Sequence, residues 1–283
     1  MIEIKKLESY NELPNISLDD VQKNPFTEYL NLCFGLILDD IEKKTGKKTE
    51  LYDNISINED YVKKNHDIQE AIISSLESID YAIHFIGEYD ENEYLKSDYI
   101  PFDKFAEYHY DVICHKVSTM KDLFLKLTNQ TYNLGLGQKE CKWKNIEDKK
   151  DIINNTDLFN LFEVNKVLNS DIKNRRNSSS HDGKISIPFL HDIRLYLWAS
   201  KANETLSKFM VGNPNYERTS HEYSLQINMA KKKALEECKI IRYNIFAITK
   251  CILCSLLETL TENVEQLLPD LNKRVVDFLT NTK

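Results

Sequence analysis

Apolar residues recur at three- and four-residue steps along most of this chain, the spacing of one buried stripe on an α-helix. Phe26, Leu30, Cys33, Phe34, Ile37 and Ile41 mark a first helix from about Pro25 to Lys44, closed by Thr45-Gly46-Lys47. Ile68, Ile72, Leu76, Ile79, Ile83 and Ile86 alternate steps of four and three, the seam of a bundle helix that stops at Gly87 and the Asp90-Glu91-Asn92-Glu93 run. A third helix follows Pro101 and runs to about Leu134, with Phe105, Val112, Val117, Met120, Phe124 and Leu127 inward. Gly135 and Gly137 are expected to supply its left-handed terminal turn. A fourth runs from about Thr156 to Asn177, with a break expected near Asn169-Ser170 and an inner row of Leu158, Leu161, Leu168 and Ile172. Thr219-x-x-Glu222 has the form of a capping box, and no Gly or Pro follows until Pro269. One very long helix, or two collinear ones, is therefore expected over 220–268, with an amphipathic tail from Leu271 to Leu279.

Between the fourth helix and the long one the pattern is irregular. Lys184-Ile185-Ser186-Ile187-Pro188 alternates like a short edge strand, Ile193 to Trp198 suits helix or strand, and Gly212-Asn213-Pro214-Asn215 reads as a loop. Glycine and proline are scarce (7 and 6 in 283 residues), which disfavours a β fold with many tight turns. The expected fold class is all-α, a helical bundle with an additional N-terminal helix and a small irregular insertion. The expected division is an N-terminal helical extension over 1–60 and a helical domain over 61–283.

The start, Met1-Ile2-Glu3-Ile4-Lys5-Lys6, lacks the pattern of a secretory signal. The most apolar stretch, Ile245 to Leu260, is interrupted by Lys250 and is too short to span a membrane. A cytoplasmic protein without a membrane partner is expected. The cysteines Cys33, Cys114, Cys141, Cys238, Cys251 and Cys254 are scattered, mostly within apolar helical runs. Cys251-x-x-Cys254 has no second pair at zinc spacing, so reduced core thiols are expected, with no metal and no cofactor. The net charge of −8 argues against a general nucleic-acid binder but leaves room for a local basic patch.

Chemistry concentrates at Arg176-Asn177-Ser178-Ser179-Ser180-His181. An arginine grips a phosphate with a planar fork of donors, and a histidine moves a proton near neutral pH. A four-residue step from Ile172 lands on Arg176, which should therefore turn inward or toward a partner, with Arg175 pointing away. His181 would lie well round the helix from Arg176 unless the helix unwinds at the serines. The bland alternative is a helix fraying into a polar turn completed by Asp182-Gly183. Lys142, Lys144, Lys173, Arg175 and Lys184 are candidate RNA contacts, with Trp143 able to stack a base; the alternative is a solvated lysine surface. His109 and His115, six apart, read as structural or surface histidines. His191-Asp192 and His221-Glu222 read as surface pairs near helix starts.

Four principal helices, an extra N-terminal helix and Arg176-Asn177-x3-His181 after the third principal helix together resemble the HEPN superfamily (higher eukaryotes and prokaryotes nucleotide-binding). Tyr132-Asn133-Leu134-Gly135-Leu136-Gly137 also looks like a feature of some large bacterial HEPN proteins. The resemblance covers roughly 65–268. It implies a metal-independent endoribonuclease of a toxin–antitoxin, phage-defence or CRISPR setting, dimerising so that two motifs share one cleft. It implies His181 as general base or acid, Arg176 as the stabiliser of phosphate charge, and Asn177 as an orienting donor. Products would be a 2′,3′-cyclic phosphate and a 5′-OH. RNA, a second copy of the chain and an antitoxin or regulatory protein are the implied partners. Gly183 stands where HEPN toxins paired with a nucleotidyltransferase often carry Tyr, so regulation by nucleotide transfer is not expected. The alternatives are a non-catalytic HEPN module that binds a partner protein or nucleotide, and an unrelated helical interaction protein.

Overall fold

Helix ends are set by local side chains. In the computed structural model, which describes residues 16–47, 54–90, 100–182, 187, 190 and 215–281, Ser17 and Asp20 form a reciprocal capping box that starts α1 (Leu18–Gln22). Asn24 caps α2 (Pro25–Thr45), Pro25 sits in its first turn, and Gly46 ends it at φ 78°. The remaining described helices are α3 (Ile57–Glu88), α4 (Phe102–Thr131), α5 (Trp143–Glu147), α6 (Lys150–Ile153), α7 (Thr156–Leu168), α8 (Ser170–Asp182), α9 (Asn215–Leu267) and α10 (Pro269–Asn281). The protein is an all-α helical bundle, with no strand among the described residues. The edge strand expected at Lys184–Pro188 and the segment Ile193–Trp198 lie largely or wholly outside the described residues, as do Lys184 and the His191-Asp192 pair.

Several boundaries differ from the sequence expectation. The fourth pattern is two helices, α7 and α8, divided at Asn169 as anticipated. The buried row of α7 is Leu158, Phe159, Phe162 and Asn165 rather than Leu158, Leu161 and Leu168, because its two phenylalanines take the inner face. α4 stops at Thr131, earlier than Leu134, and Asn133 adopts a left-handed conformation (φ 49°) ahead of Gly135 (φ 71°). The Asn129 side chain then pins the loop: its Oδ1 accepts from Leu136 N and its Nδ2 donates to Leu136 O, both at 3.0 Å. α9 starts at Asn215 rather than near Ser220. Within α9, Leu225–Leu267 is long and apolar enough to cross a membrane by composition, and half of its most apolar window is buried inside the protein.

The chain divides into two compact units. One comprises Ser78–Lys116 and Ser170–Tyr243. Its core includes Ile79, Ile83, Ile86, Phe102, Tyr110, Ile113 and Ala234. Arg242 grips Asp80 with Nε and Nη2, and Lys231 Nζ donates to Tyr89 O at 3.0 Å, so α3 and α9 run in opposite directions here. Phe85 stacks on His109 at 5.3 Å, and Tyr89 packs edge-on against Phe102, so α3 also opposes α4.

The other unit comprises Asn15–Glu77, Val117–Asn169 and Asn244–Lys283. Phe26, Leu30, Ile37, Ile72, Phe124 and Phe246 are among its fully buried side chains. α2 is tied down by Tyr29 Oη donating to Asn272 Oδ1 at 2.7 Å and by Arg274 on Asp40 at 2.6 Å. The last carbonyl of α4, an orphan acceptor at a helix end, receives Tyr61 Oη at 2.8 Å and Asn263 Nδ2 at 2.7 Å. Thr131 Oγ1 in turn donates to Asn65 Oδ1, so this buried junction is satisfied throughout. Tyr61→Phe keeps the ring and removes one donor; it should lower unfolding stability by about 1 kcal/mol, read by urea titration.

His66 stacks on Phe34 with centroids 4.1 Å apart, and burial holds its imidazole below the ordinary value of 6.5, against the opposing charges of Glu70 and Asp67. Burial acts the same way on His109. A histidine that protonates more readily unfolded contributes stability fully above 6.5 and loses it as pH falls through the depressed folded value. The thermal midpoint should therefore fall on acidification below 6.5, and His66→Phe should flatten that dependence.

Candidate functional site

α8 is a helix with almost no apolar face. Among its described side chains only Ile172 is a buried apolar one, and Lys173 and Asn174 are exposed. Asp171 in the first turn suits the positive end of the helix dipole. What fixes α8 is Arg175. Its Nη1 donates to Glu237 Oε1 at 2.6 Å and to Tyr110 Oη at 2.5 Å, while Tyr110 Oη donates to the same Glu237 oxygen. The guanidinium also lies 5.6 Å from the centre of the Tyr110 ring. Burial, then the Glu237 carboxylate, pushes the Tyr110 hydroxyl well above its usual range. Burial opposes the charge on Arg175, but Tyr110 and Glu237 outweigh it and the guanidinium is held more firmly protonated. Burial pushes the nearby Cys114 thiol up to about 12, with Arg175 opposing.

Arg175, expected to point away, instead turns inward onto Glu237 and Tyr110. Arg175 and Arg176 both flank the buried Ile172: Arg175 lies three positions on and Arg176 four, on opposite sides of the stripe. The acceptors Glu237 and Tyr110 stand on the Arg175 side. Arg176 is half-buried as well, and its Nε is buried without a hydrogen-bond partner among the described residues. Asn177 is half-buried.

The backbone remains helical through the serines to Asp182, so the unwinding that would bring Arg176 and His181 together is absent. Five residues along an α-helix turn through about 140°. The two positions therefore stand on different faces of α8; the His181 side chain lies outside the described residues.

α4 also carries Asp111 and His115. His115 Nε2 is 3.6 Å from Asp111 Oδ2, and the His115 side chain is 45% exposed. Asp111 Oδ1 is buried without a hydrogen-bond partner among the described residues.

The remaining candidates fall elsewhere. Lys142 and Lys144 are exposed at the start of α5, in the unit that does not contain α8. Trp143 is half-buried against Phe159 (5.8 Å) and Phe162 (5.3 Å) rather than presented as an open platform. Cys251 and Cys254 are free thiols, but Cys254 is exposed, not in the core as expected, and its Sγ accepts from Asn24 Nδ2 at 3.1 Å. It borders a polar cleft of about 750 Å³ lined also by Tyr132, Asn155, Asp157, Glu258 and Glu262. Its one advance signal was the Asn154-Asn155 pair, a left-handed residue followed by the N-cap of α7.

No family model, no curated protein and no solved structure matches this chain.

Arg175→Ala should leave Glu237 partly buried without its cation and destabilise the protein by about 1–3 kcal/mol, discounted from a fully buried pair because both side chains keep some solvent. Arg175→Lys should recover only part of the loss, since an ammonium lacks the planar fork; chemical denaturation of the three proteins reads the difference.

Proposed function

We propose that this chain is a metal-independent endoribonuclease of the HEPN type, cutting RNA to a 2′,3′-cyclic phosphate and a 5′-OH in a toxin or phage-defence setting. The observation that carries the reading is the contrast between Arg175 and Arg176. The first is saturated by Glu237 and Tyr110, whereas the second keeps a buried Nε without a partner among the described residues. A guanidinium held in place but not neutralised is suited to a phosphate.

In this reading Arg176 stabilises charge growing on the phosphate, the role electrostatics serves best where water is excluded. His181 moves a proton and Asn177 orients a reacting group. Because Arg176 and His181 stand on different faces of one α8, the second imidazole and the facing motif come from a second copy of the chain. Lys173 is the proposed further RNA contact on α8. An antitoxin or regulatory protein is the proposed further partner.

A second reading, a non-catalytic HEPN module binding a partner protein or nucleotide, is favoured by the helical backbone through Asp182, which keeps the two motif positions apart. RNA cleavage by purified protein in chelator separates the two. Wild type should cut and leave cyclic phosphate ends, while His181→Ala and Arg176→Ala should each lose about 100-fold or more in rate. Cutting by His181→Ala at the wild-type rate would overturn the assigned mechanism, and failure of wild type to cut varied RNAs would favour the binding module.

A further inference from the structure

We propose that Cys251 and Cys254 form a reversible disulfide within α9, made by exchange with a small cationic disulfide that enters the polar cleft beside Cys254. The inference stands apart from the ribonuclease reading. All six cysteines are free thiols, and Cys33, Cys114, Cys141 and Cys238 are buried. Cys254 is exposed and Cys251 half-buried, so a reagent from solution meets this pair before any other thiol.

Both residues belong to the unbroken helix α9, three positions apart. Such positions have Cα atoms about 5 Å apart, inside the window of about 4.4–6.8 Å that a disulfide spans. Their Cβ atoms lie about 5–6 Å apart, and a disulfide draws them to about 3.5–4.5 Å. Closure therefore tightens one turn of α9 toward 3₁₀ geometry, in which residues three apart eclipse. The two thiols already sense each other: burial raises Cys251 above the ordinary thiol range, and negative charge on Cys254 raises it further, with Lys250 opposing. The exposed Cys254 is thus the attacking group and Cys251 the resolving one. A disulfide that holds a strained turn is easily reduced, which makes the pair reversible rather than a permanent staple.

The cleft of about 750 Å³ beside Cys254 gives room for the mixed disulfide of the first step. Asp157, Glu258 and Glu262 line it, and no Lys or Arg is among its described lining residues. Such a wall attracts an aminoalkyl disulfide and repels an anionic one such as glutathione disulfide. Cys254 gives its proton to water and its thiolate attacks one sulfur of RSSR. The Cys254–SR bond forms, the S–S bond of the reagent breaks, and RS⁻ leaves and is protonated. Cys251 then loses its proton and attacks the Cys254 sulfur, and the second RS⁻ leaves. Two protein thiols are oxidised to one disulfide, and one RSSR is reduced to two RSH. The second step is intramolecular, which makes the mixed disulfide short-lived.

The pair also touches α2. Asn24 Nδ2 donates to Cys254 Sγ at 3.1 Å and to Lys250 O at 3.3 Å, while Asn24 Oδ1 accepts from Phe26 N as the cap of α2. Drawing Cys254 Sγ toward Cys251 removes one of the contacts that hold this cap. The redox state of α9 thereby reaches the first turn of α2.

The test incubates the full chain with cystamine and follows intact mass, non-reducing peptide maps and hydrogen exchange. Wild type should lose the mass of two hydrogens, map to a Cys251–Cys254 disulfide and return to the dithiol in dithiothreitol. Cys251→Ser should stop at a stable aminoethylthio adduct on Cys254, and Cys254→Ser should react about tenfold more slowly or worse. Cystamine should outpace glutathione disulfide by about tenfold or more at low salt, and Glu258→Gln combined with Glu262→Gln should shrink that ratio. The first-turn amides of α2 should exchange several-fold faster in the oxidised chain. A wild type that keeps the adduct on Cys254 while Cys251 is still alkylated by iodoacetamide, that links two chains through Cys254, or that does not react at all would overturn the disulfide. Equal rates for the two reagents would overturn selection by the cleft, and unchanged exchange in α2 would overturn the coupling through Asn24.

Discussion

One carboxylate oxygen, Glu237 Oε1, receives hydrogen bonds from both Tyr110 and Arg175 and so joins α4, α8 and α9 at a single point. The position of α8 depends on that junction. A helix in a bundle is usually held by an apolar stripe, because burial rather than intrinsic propensity supplies most of its stability. α8 buries Ile172 and otherwise presents polar side chains. Its anchorage is therefore directional. A stripe of leucines tolerates some rotation of the helix, whereas a guanidinium shared between a carboxylate and a phenol does not. Fixing Arg175 fixes the azimuth of Arg176 beside it, and with it the face that a phosphate would approach in the proposed reading.

The same junction explains what could and could not be read from residue order. The helices with repeated apolar steps, α2, α3, α4 and the apolar part of α9, were legible because periodicity reports burial directly. The three short helices α1, α5 and α6 were not, since four or five residues complete barely one turn and carry no period. The inner row of α7 was misplaced because Leu161 and Phe162 both fit a three- or four-residue step, and only packing decides which goes inside. The outward orientation expected for Arg175 failed for a related reason. Arg175 and Arg176 both flank Ile172, and the deciding acceptors, Glu237 and Tyr110, are 62 and 65 residues away in sequence. The chemistry of the segment was visible in residue type, while the assignment of roles within it depended on long-range partners.

Charge balance gives Arg176 its significance. The chain carries 45 acidic against 37 basic residues, so carboxylates outnumber the cations available to pair with them. Among the described arginine side chains, Arg175, Arg242 and Arg274 each hold a carboxylate, on Glu237, Asp80 and Asp40. An arginine placed at random in such a protein would meet the same fate. Arg176 makes no ion pair among the described residues, although it is half-buried and next in sequence to an arginine that does. Its Nε is shielded from water. An acidic composition, which argues against nucleic-acid binding when averaged over the molecule, thus sharpens the local argument: the one described guanidinium left without a carboxylate is the one in the Arg-Asn-x3-His segment. Net charge governs long-range encounter, whereas a site that grips one phosphate depends on its nearest donors, and the two can differ in sign on the same protein.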